Sequence, residues 1–161
     1  MPVVTVPTAD DMRALGRRIA ELLAAGDLVV LTGDLGAGKT TLVQGLAAGL
    51  GAAGPVLSPT FVIARVHHGG RVPLVHVDAY RLGSIDEVDD LDLDASTEES
   101  VTVVEWGEGL VERLAADRLE LRLTRSVDPA DETRQVAIGG VGARWADLPP
   151  IMHESTADDP L

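Results

Sequence analysis

Asp27-Leu-Val-Val-Leu-Thr-Gly33-Asp-Leu-Gly-Ala-Gly38-Lys39-Thr40 decides the fold. Its apolar half reads as a strand in the middle of a parallel sheet, where both faces are covered and the sequence loses its alternation. The second half, Gly33 to Thr40, satisfies G-x-x-x-x-G-K-[ST] in full and lies where that motif belongs, between a strand and the start of a helix. Each residue type has a reason. Glycines let backbone N–H groups close around phosphate oxygens without a Cβ in the way, and the helix that follows adds the positive end of its dipole. A lysine at position 39 reaches the β- and γ-phosphates, and the Thr40 hydroxyl is a ligand for Mg²⁺. Lys39 is the only lysine in the chain; every other Lys/Arg position is Arg. The motif itself does not separate ATP from GTP. Guanine-specific switches use Asn-Lys-x-Asp, which cannot occur without a second lysine, so ATP is the expected nucleotide.

From this centre the reading extends outward. The helix opened at Lys39 runs to Leu50 and closes at Gly51. Upstream, Val3 to Val6 reads as a strand, and Thr8 as an N-cap with Asp10 and Asp11 in the first turn. Met12, Leu15, Ile19, Leu22 and Leu23 carry helical spacing that stops near Gly26. Downstream, Phe61 to Val66 and Val72 to Val77 are β-branched runs joined by His67-His68-Gly69-Gly70-Arg71. Ser84 is a plausible helix cap, Val101 to Val104 a second buried-type strand, and Leu110 to Ala116 a short helix. Arg118 to Thr124 and Arg134 to Ile138 alternate as a half-exposed antiparallel pair. The whole predicts an α/β fold, a P-loop NTPase-like three-layer sandwich around a central mixed, mostly parallel β-sheet. One domain is expected over residues 1–145, followed by a Pro/Asp-rich disordered tail over 146–161.

Composition narrows the function. The 161 residues are 45% apolar but only 2% aromatic, so the core must be built from Val, Leu, Ile and Ala. With no cysteine, disulfides, thiolate zinc sites and a Cys nucleophile are excluded. Thirteen basic residues against 26 acidic ones give a net charge of −13, which argues against tight direct binding of RNA or DNA. The acids are unevenly placed: eight of them, and no base, lie between Asp86 and Glu99, and Glu154, Asp158 and Asp159 follow Pro150. Such a run is usually a solvated face. The N-terminus lacks a signal-peptide pattern, and no apolar run approaches the ~20 residues that span a bilayer. A soluble cytoplasmic protein is expected.

Two acids close apolar runs. Asp78 follows Leu74 to Val77, and Glu105 follows Val101 to Val104. The carboxyl end of a strand beside a P-loop is where a Mg²⁺ ligand or a water-orienting group belongs, although either acid could be an ordinary strand end. Of the two, Glu105 suits the metal better, because its strand reads as buried beside the P-loop strand. Ser58-Pro59-Thr60-Phe61 occupies the place of a switch-like segment, or serves as a simple turn. His76 alternates with Asp78 and is equally a positioning group or a packed core histidine. His67 and His68 have no third ligand at metal spacing and read as a solvated loop. Arg81, beside Tyr80, reaches a phosphate or caps a strand.

Taken in order and spacing, Gly33 to Thr41, Ser58-Pro-Thr-Phe61, His76-Val-Asp-Ala-Tyr-Arg-Leu82 and Val104-Glu-Trp-Gly-Glu108 resemble the TsaE (YjeE) family. The likeness covers about Val4 to Ile138. It implies a P-loop ATPase of bacterial tRNA threonylcarbamoyladenosine synthesis that acts with TsaD and TsaB and meets tRNA only indirectly. Carried over by position, it implies that Asp34, Leu35, Gly36, Ala37, Gly38, Lys39, Thr40 and Thr41 cradle the nucleotide. Thr40 and Glu105 would hold Mg²⁺, Asp78 would act in hydrolysis or behind the metal's direct ligands, Thr60 would sense the nucleotide, and Trp106 would support the site or the partner surface. Thr8 and Arg134 would lie on the adenine side. Gly107 departs from the Pro often found there. The competing readings are a small-molecule kinase using the same P-loop and a nucleotide-dependent binding switch with little turnover.

Overall fold

The computed structural model describes residues 3–33, 37–52, 64–67, 71–78, 99–105, 117–128 and 130–146. Seven strands form one sheet: β1 (Val3–Val6), β2 (Leu28–Gly33), β3 (Ala64–His67), β4 (Leu74–Asp78), β5 (Val101–Glu105), β6 (Arg118–Arg125) and β7 (Arg134–Val141). Their spatial order is β1-β7-β6-β2-β5-β4-β3. β2 pairs in parallel with β5 and β6, and β5 in parallel with β4. β7 lies antiparallel between β1 and β6, and β3 antiparallel on β4. Five strands therefore point one way and two the other, the mixed, mostly parallel sheet that the sequence implied.

Burial follows this topology. Every residue of β5 is buried, as are Leu28 to Leu31 of β2, so the centre of the sheet is covered on both faces. β6 instead alternates, with Leu119, Leu121 and Leu123 buried and Arg122 and Thr124 exposed. A flank with one wet face can afford the antiparallel pairing that a doubly covered centre rarely uses.

Helix α1 (Ala9–Ala20) starts on Thr8, whose backbone is extended and whose hydroxyl accepts the Asp11 N–H while its carbonyl accepts the Met12 N–H. It turns Met12, Leu15, Gly16, Ile19 and Ala20 inward. The helix ends well before Gly26, because the N–H groups of Glu21, Leu22 and Leu23 turn to the carbonyls three residues back. Asp27 then accepts the Ala24 N–H at 2.7 Å and fixes the bend into β2. Leu23 is buried all the same, which is why the apolar spacing outlasts the helix.

Helix α2 (Lys39–Leu50) packs against α1 at very close range. Gly45 permits it: a Cβ there would lie 2.1 Å from the Arg13 carbonyl oxygen. Among the described residues no helix is long and apolar enough to cross a membrane.

A 3-10 turn, Ala143–Trp145, closes the described chain and was not anticipated as an element. Trp145 is buried in the core, and Arg144 grips Asp27 with Nε at 3.1 Å and Nη2 at 2.9 Å. Arg144 Nη2 also donates to the Leu22 carbonyl at 2.7 Å, so the segment after β7 is tied to the bend before β2. The Ser84 cap, the acidic run 86–99, the helix expected over 110–116 and the tail from 147 onward lie outside the described residues.

Candidate nucleotide site

The site is built at the carboxyl end of β2. Gly33 ends the strand, and α2 begins six residues later with Lys39 as its first residue. The N-cap, Gly38, holds φ 103°, a left-handed conformation that a side chain would strain. Gly38 has no side chain with which to cap this helix, and the first N–H groups of a helix are where an anion is received. Lys39 is buried, and its Nζ donates to the Gly33 carbonyl oxygen, bringing the cation back across the turn it closes. Thr40 and Thr41 follow on the first turn, half-buried, and Ala37 is fully buried.

One strand away, Glu105 is the Cα partner of Leu31 and also of Asp78. Both candidate acids therefore stand at one level of adjacent parallel strands, two residues short of the level where β2 gives way to the P-loop. Glu105 is only 5% exposed. His76, itself without solvent exposure, has its Nε2 at 2.5 Å from Glu105 Oε2. The direction of this bond follows the imidazole tautomer: with Nε2 protonated, the ring donates to the carboxylate.

The outer side of the P-loop helix borders a cavity of about 130 Å³ lined by Thr8, Ala9, Met12, Gly38, Thr41, Glu132 and Arg134. Thr8 and Arg134, far apart in sequence, thus come to the same wall as Gly38 and Thr41. The Thr8 hydroxyl is engaged in the helix cap, donating to Asp11 Oδ2 at 2.8 Å. What Thr8 offers the cavity is position rather than a free hydroxyl. Arg134 Nη1 donates to the carbonyls of Asp131 and Thr133. The Thr133 N–H in turn bonds Asp131, whose carboxyl is held below its ordinary range mainly by that bond. A depressed carboxyl favours the folded turn above its unfolded value and loses that support as pH falls.

Sequence reasoning did not single out Ala9, Met12 or Glu132 at this cavity, and no periodic signal marks Glu132 in its turn. It weighed His76 without finding its partner, since the contact depends on strand register. Asp34, Leu35, Gly36, Thr60, Tyr80, Arg81 and Trp106 lie outside the described residues, as does the Asp78 side chain. Among the described residues no group of three or more His, Asp or Glu is gathered to hold a metal.

A threonine hydroxyl at the helix start and a buried carboxylate are hard oxygen donors, the kind Mg²⁺ takes while its other positions go to phosphate and water. The residues present fit the ion.

A strand running into a Gly-rich turn, with a buried lysine opening the next helix, at the centre of a mostly parallel sheet, defines a P-loop NTPase fold. The family model described as "Threonylcarbamoyl adenosine biosynthesis protein TsaE" matches residues 6–136. The chain belongs to the TsaE family. It is 66% identical over 139 residues to the tRNA threonylcarbamoyladenosine biosynthesis protein TsaE of Streptomyces coelicolor, covering 84% of this chain and 94% of that one. To its Bacillus subtilis counterpart it is 38% identical over 137 residues, 84% of either chain. The crystal structure of Bacillus subtilis YdiB is similar with a TM-score of 0.72 and 31% identity, covering 89% of this chain and 87% of that chain.

Proposed function

We propose that this chain is the ATP-hydrolysing accessory subunit needed to form the threonylcarbamoyl group on the adenosine beside the tRNA anticodon, acting with a TsaD–TsaB complex in the cytoplasm. Family membership supports the pathway. The observation that carries the chemistry is the meeting of the P-loop strand with Glu105: the Leu31–Glu105 pairing sets a buried carboxylate beside the strand that delivers Lys39 and Thr40.

In this reading the uncapped start of α2 and the Lys39 ammonium receive the phosphates. Lys39 exchanges its bond to the Gly33 carbonyl for one to a phosphate oxygen. Thr40 and Glu105 would hold Mg²⁺, which when bound neutralises phosphate charge. Asp78 orients the attacking water, and Thr60 senses the nucleotide. Gly38, Thr41, Thr8 and Arg134 frame the adenine side. Coupling to TsaD–TsaB would make the hydrolysis weak in the isolated chain.

The test is release of inorganic phosphate from ATP by the chain alone and with TsaD–TsaB, for wild type and Lys39→Ala. Hydrolysis rising with the partners and abolished by the substitution is expected, because no second lysine exists to replace the first. Near wild-type hydrolysis in the variant would overturn the assignment, as would phosphate appearing on a small-molecule acceptor.

A further inference from the structure

We infer that His76 is a positioning residue: its Nε2–H holds the Glu105 carboxylate in the orientation that receives Mg²⁺. The inference rests on the nucleotide reading above and adds a residue to it. A histidine with no solvent exposure in a sheet built from Val and Leu is an expensive choice of core residue, since its polar ring must be satisfied there. Its ring is aimed at the buried Glu105 carboxylate on the strand beside the P-loop strand, across the β4–β5 boundary. Register explains the aim. His76 is the Cα partner of Val103, and Glu105 lies two residues further along the same side of β5, so the two side chains meet on the diagonal. Leu74, Val101 and Val103 share that face of the sheet with the pair and belong to the buried core. A carboxylate that must take a small octahedral ion with few protein ligands needs such a fixed rotamer, and residues that orient ligands in this way typically contribute 10–100-fold to metal affinity. A purely packing histidine would contribute to folding and to nothing else.

The experiment measures the dissociation constant of a non-hydrolysable ATP analogue by calorimetry, in Mg²⁺ and in EDTA, for wild type, Lys39→Ala, His76→Leu, His76→Asn and His76→Gln. A thermal melt of each variant reports folding. The readout is the gain in affinity that Mg²⁺ confers. His76→Leu is expected to cut that gain about tenfold or more while affinity in EDTA stays within about twofold. Glutamine carries an amide N–H at nearly the reach of Nε2 and should restore most of the gain, whereas the shorter asparagine should not. If the leucine variant does not fold, the Asn–Gln comparison carries the test alone. An unchanged Mg²⁺ gain in folded His76→Leu or His76→Asn, or no difference between Asn and Gln, would overturn the role of His76. A wild-type protein with no Mg²⁺ gain at all, or Lys39→Ala binding as well as wild type, would overturn the nucleotide reading beneath it.

Discussion

Asp78 and Glu105 were legible as a pair because each closes an apolar run, and strand ends are where a P-loop sheet delivers its acids. Their Cα pairing puts them at one level, yet their roles should differ. Glu105 is buried, joined to His76, and sits on the strand adjacent to β2; Asp78 stands one strand further out. Glu105→Ala is expected to weaken Mg²⁺-dependent nucleotide binding by about 10-fold or more, with little change in EDTA. Asp78→Ala should slow turnover and leave binding nearly intact. Nucleotide titrations with and without Mg²⁺, set beside turnover with TsaD–TsaB, check both; the opposite pattern would exchange the two roles. The His76–Glu105 contact, by contrast, was half legible. Alternation put His76 in step with Asp78, but its partner lies 29 residues on and only the pairing of β4 with β5 brings it near.

At the level of elements, α2 was readable to the residue, because Gly38 and Gly51 punctuate it and Lys39 is fixed by the motif. α1 was readable at its start, where Thr8 and two acids announce a cap, and misread at its end. Leu22 and Leu23 keep the helical spacing after the backbone has left it, since the competing signal, Asp27 accepting the Ala24 N–H, is a tertiary choice of bend. Contact between the two helices could not be read at all. Glycines in α2 look like weak helix formers until their neighbours are known. With a Cβ at Gly45 only 2.1 Å from the Arg13 carbonyl, α1 and α2 would have to part. Gly45→Ala should therefore cost about 1–3 kcal/mol despite the better helix propensity of alanine. For a chain of this size that is a fall of very roughly 2–12 °C in Tm, measurable by calorimetry. A stabilised variant would mean that the helices tolerate a wider spacing. Because α2 opens with Lys39, nucleotide affinity should fall with it.

For the molecule as a whole, periodicity and motif gave the strand inventory and the class of fold, while strand order stayed hidden. Nothing in the sequence says that β6, rather than β4, lies beside β2, or that Arg144 will reach back to Asp27 across 117 positions. Net charge is the global property that could be read at once, and it bears on the partner. A chain of −13, with 13 basic residues against 26 acidic ones, is poorly suited to neutralise a phosphodiester backbone, and counterion release supplies much of the affinity in such contacts. Three of its arginines are also engaged within the chain: Arg13 pairs with Asp10, Arg118 with Glu120 and Arg144 with Asp27. A subunit of tRNA modification with this charge should meet its RNA through other proteins. The isolated chain is accordingly expected to bind tRNA with a dissociation constant well above the low-micromolar range at ~0.15 M salt, with or without ATP and Mg²⁺. Fluorescence anisotropy of labelled tRNA checks this. Tight binding by the chain alone, steeply weakened by added salt, would show a basic surface that the composition conceals and would make the tRNA a direct partner.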